Sequence, residues 1–586
     1  MYQKHILDVC DPKNPYLPKY SGVFELPVQV GENKRRMLAY VPRDVRESTA
    51  GILILGENGK TADDLLEESG WCTIADTEEC KERLIVFFLE PQNDVWNTEE
   101  TYGVENQDVA YITQAARVAT DREFFCVHES KVYLFGCKEG GTLAHMAAAY
   151  DPAFYSGVVS VGAPAVSETY LEECGSAFAV NLDGMEDLEH RKDIRKKDIP
   201  MPAWIIDDAT SDGSNILRYW RKANGSEEKP RQLTPDCVEY YRTKETPYPQ
   251  NQEKEAYRVC FSKIADAAKQ DAKRLQRRIW KDFLYRQRRW MSSPGGELRV
   301  TRDPVRDLGM EYHYEEFDGW MREWYVYVPA AVKKNPRKKV PLVLAMHGYT
   351  CTGEIYAGNS AWYQVAEKYG FIVVFPSALH AKVNMPEQGL MPHWAPLNAW
   401  NVFQEDDRPD ELKFFHDLLD YMLLHYPIDE TCVFATGHSW GSLMTEMLAL
   451  GMTERLAAVA PCSGVFFGGA YEKMIHMPYA KKNGVQLPIW MFWGTEEEWL
   501  IPCEPMHENE TGLTVEFWLK KNGKADMIPQ DWSKRVYTRN GRYKEHEFDR
   551  AGTALVRFTQ VDYMPHATMP EMSFRIWEEF FCKYTG

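Results

Sequence analysis

One serine, one histidine and a run of glutamates in the second half of the chain have the types and order that acyl transfer needs. Cys432-Val433-Phe434-Ala435-Thr436 runs into Gly437-His438-Ser439-Trp440-Gly441 and then into the helical pattern of Ser442 to Leu450. This is G-x-S-x-G with a strand before and a helix after, the context that lifts a serine Oγ out of a sheet on a strained turn. Small residues two positions away on each side let the backbones pass, and the turn aims the Trp440 N–H at a developing oxyanion. A serine nucleophile needs a base, and the base needs an orienting carboxylate. Gly494-Thr495-Glu496-Glu497-Glu498 sets acids at the end of a strand-like run, and Met564-Pro565-His566-Ala567-Thr568 sets a histidine in a loop before the last helix, Arg575 to Phe581. His566 is the expected base. His507 and His546 compete, but Lys544-Glu545-His546-Glu547 reads as a solvated surface run. Any of the three glutamates could orient the base. The second oxyanion donor is expected from Met346-His347-Gly348-Tyr349-Thr350-Cys351-Thr352-Gly353, as a backbone N–H near Tyr349 or Thr350.

These groups must be carried to one edge of a sheet. Val340 to Met346, Phe371 to Phe375, Thr431 to Thr436, Ala457 to Ala460 and Ile489 to Trp493 are continuous apolar runs, as expected of strands buried on both faces of a parallel sheet. Helical patterns at Asp410 to His425 and Ser442 to Gly451 lie between them. The fold class is therefore α/β, with a mostly parallel, doubly wound sheet.

The chain is also written twice. Tyr40-Val41-Pro42 recurs as Tyr327-Val328-Pro329, and Val95-Trp96-Asn97 as Ala399-Trp400-Asn401. Gly136-Cys137-Lys138-Glu139-Gly140 is answered by Gly437 to Gly441, Pro202-Ala203-Trp204 by Pro488-Ile489-Trp490, Trp220 with Asn224-Gly225 by Trp518 with Asn522-Gly523, and Arg278-Ile279-Trp280 by Arg575-Ile576-Trp577. Matches in one order at a nearly constant spacing indicate a tandem duplication, with copies over 1–291 and 297–586 joined at Ser292-Ser293-Pro294-Gly295-Gly296. The first copy is disarmed. Lys138 stands at the Ser439 position, Lys269 at that of His566, and Ser211 beside Asp212 at that of the acid, with no histidine between His190 and His313. Its expected role is to pack on, cap or dimerise the active copy. Ligand binding by the relic pocket and a homo-oligomer stay open.

Composition excludes several classes. With 586 residues, 44% hydrophobic and 26% charged, the chain is of globular type, and its formal charge of −19 repels phosphate backbones, so nucleic acid is not an expected partner. The exception, Lys263 to Arg289, is basic with apolar residues at helical spacing and reads as an amphipathic surface helix. No run of about 18 apolar residues exists for a membrane span, and the N-terminus has no apolar stretch for a signal peptide. The 13 cysteines are scattered without zinc-type pairs, which fits reduced thiols in a cytoplasmic protein and predicts no metal.

Across Trp324 to Lys583 these motifs, with Tyr426-Pro427-Ile428-Asp429 before the elbow strand, resemble the polyhydroxybutyrate depolymerase and feruloyl/acetylxylan esterase family. The resemblance implies two tandem α/β-hydrolase domains, the second a serine carboxylesterase with a Ser–His–acid triad and no cofactor. The family's acid, the fourth residue of a G-T-x-D pattern, falls on Glu497. The family's secreted members carry signal peptides, so a soluble small or oligomeric ester of feruloyl, acetyl or hydroxyalkanoate type is the expected substrate. The aromatic residues His393, Trp394, Trp400 and Phe403, with Asn401, Asp406, Asp407 and Asp410, are expected at the rim of the active face, where rings could stack on a planar acyl group. His438 flanks the nucleophile as a further substrate-side residue. A peptidase or acyltransferase with the same triad, or a non-catalytic binding protein, are the rival expectations.

Overall fold

The computed structural model describes residues 7–8, 20–42, 49–77, 84–99, 105–121, 125, 127–180, 194–209, 211–242, 257–264, 272–292, 297–349, 351–381, 397–404, 408–466, 469–476, 486–498, 500–551 and 555–585. They divide into two compact units, the first ending at Thr301 and the second beginning at Arg302. The boundary lies after the Pro/Gly/Ser cluster because the strands on either side of it, Arg289–Ser292 and Glu297–Val300, pair antiparallel within the first unit.

In the second unit the main sheet contains β1 (Glu311–Phe317), β2 (Trp320–Tyr327), β3 (Val340–Met346), β4 (Ile372–Pro376), β5 (Ile428–His438), β6 (Ala458–Cys462), β7 (Ile489–Gly494), β8 (Thr538–Asn540), β9 (Tyr543–Phe548) and β10 (Val556–Val561). Their order is β1-β2-β4-β3-β5-β6-β7-β10-β9-β8. The strands from β4 to β10 in this order are parallel, and the edge pairs are antiparallel. Parallel strands need crossovers, and the helices that provide them cover both faces. Side chains alternate accordingly along β3. Leu342, Leu344 and Met346 pack with Phe415, Leu418, Met444, Leu448 and Trp518, while Val343 and Ala345 pack on the other face with Trp362, Val365, Ile576 and Trp577. The helices that supply these residues are α2 (Trp362–Tyr369), α3 (Glu411–His425), α4 (Trp440–Gly451), α5 (Glu510–Lys521) and α6 (Pro570–Glu579), and α1 (Gly353–Asn359) adds Tyr356 and Ala357 to the second face. Asp410, Thr352 and Asn509 cap α3, α1 and α5 by accepting from backbone N–H groups that the helices leave unbonded.

The first unit repeats this strand order with one extra edge strand, Leu7–Asp8, in an eleven-stranded sheet of the described residues. The bonds made by the recurring residues explain why they recur. Trp96 Nε1 donates to the Gly56 carbonyl, and Trp400 Nε1 to that of His347, both at 2.9 Å. Asn224 Oδ1 accepts from Met201 N–H and Asn522 Oδ1 from Leu487 N–H, both at 2.8 Å. Trp204 reaches Ser262 and Trp490 reaches Thr559. A buried Arg35–Asp108 pair stands where the second unit has Arg322–Glu411. In the basic segment, α-helix covers Ala272–Asp282 and buries Leu275, Ile279 and Trp280; Lys269 lies outside the described residues. Among the described residues no helix is long and apolar enough to cross a membrane.

The two units differ at one buried polar site on the helix after the elbow. Trp220 Nε1 donates to His145 in the first unit, and Trp518 Nε1 donates to Glu446 Oε1 at 2.8 Å in the second. Burial pushes the Glu446 carboxyl up to about 8. The folded state therefore holds a proton that the unfolded chain releases near the ordinary value of 4.5, so stability falls as pH rises from there to about 8. Glu446→Gln keeps an acceptor for Trp518 and cannot ionise. It is expected to flatten this fall, with a denaturation midpoint closer to wild type at pH 5 and higher than wild type at pH 8, measured by urea titration at both pH values.

Candidate active site

Backbone crowding builds the turn that carries Ser439. A Cβ on Gly437 would lie 2.3 Å from the Gly441 carbonyl oxygen, and one on Gly441 would lie 2.3 Å from that of Met346. Strand β5, strand β3 and the first turn of α4 thus approach at distances that only glycine permits. The chain must bend sharply between the two glycines, and Ser439 takes φ 56° and ψ −117°, a strained conformation for a residue with a Cβ. Its N–H is held by the Cys462 carbonyl of β6 at 2.9 Å.

The loops after β7 and β10 bring the other two groups to this turn. Ser439 Oγ lies 2.8 Å from His566 Nε2, and His566 Nδ1 lies 2.7 Å from Glu497 Oε2. With a carboxylate facing Nδ1, that nitrogen carries the proton and Nε2 is left to accept from the serine hydroxyl. The two loops are tied together. Glu496 N–H donates to the Met564 carbonyl at 3.1 Å, Tyr563 N–H to Thr495 Oγ1 at 2.8 Å, and a Cβ on Gly494 would collide with the Met564 carbonyl. Glu497 is fully buried, whereas His566 keeps 22% of its side chain exposed, so one end of the chain of hydrogen bonds is dry and the other faces solvent.

The three glutamates have separate places. Only Glu497 faces the histidine; the Glu498 carboxylate accepts from the Cys503 and Glu504 N–H groups. Of the competing histidines, His507 is exposed beside Glu508. His546 is not the solvated surface residue that its charged neighbours suggested. It is 3% exposed and stacks on Phe558 at 4.3 Å, because β9 alternates and turns this side chain inward.

The loop after β3 is pinned by a histidine that sequence motifs did not single out as functional. His347 is fully buried and lies under the loop, with Nδ1 2.7 Å from the Gly348 carbonyl and Nε2 accepting from Ala378 N–H at 2.9 Å. Across a trans peptide the C=O and N–H point opposite ways, so holding the Gly348 carbonyl turns the Tyr349 N–H away from His347. Gly348 itself lies against Ser439, since a Cβ on it would sit 3.2 Å from Ser439 Cβ. The Trp440 N–H belongs to the first turn of α4, where helical N–H groups lack intrahelical acceptors and the helix dipole favours negative charge. Thr350 lies outside the described residues.

The expected substrate-side residues divide. Trp394, His393, Asp406 and Asp407 lie outside the described residues. Trp400 and Asn401 are corrected here: Trp400 is fully buried with its N–H on the His347 carbonyl, and Asn401 is buried with its amide on the Pro409 carbonyl, so both brace the loops from beneath. Asp410 serves as the cap of α3. His438 is half-buried, its ring 4.9 Å from that of His566. The aromatic surface beside Ser439 comes instead from Trp440, which stacks on Tyr349 at 4.8 Å and meets Phe403 edge-on at 5.8 Å.

The first unit keeps the turn and fills the site. Lys138 has φ 49° and ψ −125°, its N–H is held by the Val161 carbonyl, and Gly136 and Gly140 are as crowded as their counterparts. Lys138 Nζ is paired with Asp208 at 2.5 Å, and the Glu139 carboxylate accepts the Asn58 N–H of the loop after the first parallel strand at 3.2 Å. Ser211, at the acid position, accepts from Asp208 N–H.

Residues 329–526 match the model of the phospholipase/carboxylesterase family. The chain is 27% identical over 190 residues to acetylxylan esterase A of Aspergillus awamori, covering 32% of this chain and 56% of the relative. It is 30% identical over 212 residues to a probable acetylxylan esterase A of Aspergillus niger, covering 36% and 63%. The chain therefore spans less than two thirds of these curated relatives. Among solved structures, the acetyl xylan esterase from Aspergillus awamori aligns with 46% of this chain and 98% of its own at 18% identity and a TM-score of 0.32.

Burial lowers the His347 imidazole to about 4 from its ordinary 6.5. Its neutral form thus favours the fold fully above pH 6.5, and that contribution is lost as pH falls from 6.5 to about 4. Nitrogen-15 NMR of histidine-labelled protein should show His347 as the neutral Nδ1–H tautomer from pH 7 down to pH 5. Protonation of this ring near 6.5 would contradict the pinned loop.

Proposed function

We propose that this chain, whose second unit is an esterase-like α/β-hydrolase domain, is a serine carboxylic ester hydrolase with Ser439 as nucleophile, His566 as base and Glu497 as orienting acid. The observation that carries the proposal is the unbroken series of hydrogen bonds from Ser439 through His566 to the buried Glu497, mounted on the strained turn. In the first half-reaction His566 Nε2 takes the Ser439 proton as Oγ attacks the ester carbonyl. The N–H groups of Trp440 and Tyr349 receive the oxyanion, and His566 returns its proton to the leaving alcohol. Water, deprotonated by His566, then attacks the acyl-enzyme, and collapse of the second tetrahedral intermediate frees the acid and restores Ser439. Glu497 keeps Nε2 as the accepting nitrogen and stabilises the imidazolium in both halves.

The relatives are named acetylxylan esterases, which supports an acetyl ester of a carbohydrate as substrate. The faces of Trp440 and Tyr349 beside the nucleophile suit a sugar ring or a hydroxycinnamoyl group, so a small or oligomeric acetyl or feruloyl ester is the substrate class. The buried thiols of Cys72, Cys432, Cys462 and Cys503 fit a reducing, cytoplasmic setting. The first unit has no acyl chemistry in this proposal. Its lysine is paired, and a loop N–H in the place of an oxyanion donor is taken by Glu139.

Ser439→Ala should lower kcat on p-nitrophenyl acetate by about 10³-fold or more and abolish fluorophosphonate labelling, read by mass spectrometry of the Ser439 peptide. Retained turnover would overturn the proposal. Lys138→Ala, by contrast, should leave turnover within about twofold of wild type; a loss of about tenfold or more would assign the first unit a part in the reaction.

A further inference from the structure

We infer that Ser463, at the end of β6, is a positioning residue for Glu497: its hydroxyl holds the carboxylate so that one oxygen stays committed to His566. The inference rests on the esterase proposal above and names a residue which that proposal does not require. Ser463 is 1% exposed, and its Oγ donates to Glu497 Oε1 at 2.9 Å. The same oxygen receives the Gly494 N–H at 2.5 Å, which leaves Oε2 to His566. A glutamate has one more rotatable bond than an aspartate, so its carboxylate needs more fixing to stay at a set angle to the imidazole. Two donors on the far oxygen provide it, and they also solvate a charge that is buried from water.

The backbone indicates that the hydroxyl is there for this purpose. Ser463 has φ 54°, a left-handed conformation that favours glycine. Its N–H is held by the Phe492 carbonyl at 2.8 Å. The first unit builds the same turn, with Gly162 at φ 63° and its N–H held by the Ile206 carbonyl at 2.8 Å. There a Cβ would lie 2.8 Å from Asp208 Oδ2 and 3.0 Å from Lys138 Nζ, so glycine makes room for the ion pair. The turn is thus compatible with glycine and easier for it. The unit that carries Glu497 has a serine in spite of this, and the serine's hydroxyl points at the acid.

The test uses the full chain with Ser463→Gly, Ser463→Ala and Glu497→Gln. Ser463→Gly removes the hydroxyl and relieves the left-handed strain, whereas Ser463→Ala removes only the hydroxyl. Relative to Ser463→Ala, which loses the same bond but keeps the strain, the thermal midpoint of Ser463→Gly should be higher, and its kcat on p-nitrophenyl acetate should fall about ten- to hundredfold from wild type, the range expected for losing a hydrogen bond to a charged group, with KM within about threefold. Ser463→Ala, which keeps the Cβ, should lose a similar factor. In the Glu497→Gln background Ser463→Gly should slow fluorophosphonate labelling of Ser439 by less than about twofold, because the two residues act through one carboxylate. Wild-type kcat in both Ser463 variants, or the same loss with and without Glu497, would overturn the inference while leaving the esterase proposal intact. That proposal fails separately, if Ser439→Ala keeps its turnover.

Discussion

The close approach of three backbone segments at Gly437 and Gly441 is the constraint from which the rest of the site follows. With no room for a Cβ at either position, the chain between them can only rise out of the sheet, and whatever residue stands at the apex is presented at the carboxyl edge. The strain at that apex costs about 1–3 kcal/mol in isolation. It is offset by the N–H bond to β6 and by the packing of α4 across the parallel strands. The first unit shows that this geometry does not need a serine at the apex. Lys138 occupies the apex with nearly the same dihedral angles, and its side chain is paired with Asp208.

Charge burial is the second constraint, and the two units meet it differently. In the second unit the carboxylate of Glu497 is dry and takes all its compensation from donors: Ser463, the Gly494 N–H and His566. An ionised group removed from water without such partners would be strongly unfavourable. In the first unit the corresponding space is closed by the Lys138–Asp208 pair, in which the acid lies nearer the strand end than Glu497 does and the cation stands at the position of Ser439. Both arrangements leave the fold with a satisfied carboxylate. Only one leaves a histidine nitrogen next to a hydroxyl.

Much of this was legible in the residues. The boundaries of β3 and β7 and the body of α3 follow from apolar runs, helical period and the Asp410 cap, because buried parallel strands and capped helices have local signatures. The duplication was visible because the residues that recur are those whose side chains tie strand ends to helices. Four features were not legible. Ser463 follows a strand with no motif around it, and its partner is brought near only by the sheet order. His347 belongs to a motif, but its bond to Ala378 joins strands β3 and β4 and has no counterpart in spacing. The inward turn of His546 was masked by its charged neighbours, of which Glu545 and Glu547 lie on the opposite face of β9, and Trp400 and Asn401 looked like rim residues although loops between strands can run beneath a site as well as around it.

The duplicated chain separates what the fold requires from what the reaction requires. Bonds present in both units, such as Trp96 and Trp400 to a loop carbonyl or Asn224 and Asn522 to the start of a strand, hold the sheet and its loops whether or not a nucleophile is present. Differences cluster around the apex: lysine against serine at the apex itself, glycine against serine at the turn after the next strand, glycine against histidine beneath the loop after β3. Each of these changes leaves the backbone path alone and alters only what the side chain can donate or accept. The substitution of Gly56 for His347 is the clearest case, since Trp96 still donates to the carbonyl at that position while the imidazole that fixes the next peptide is gone. A scaffold held together by one set of hydrogen bonds can therefore keep its backbone path while another set changes, and the two units share the first set and differ in the second.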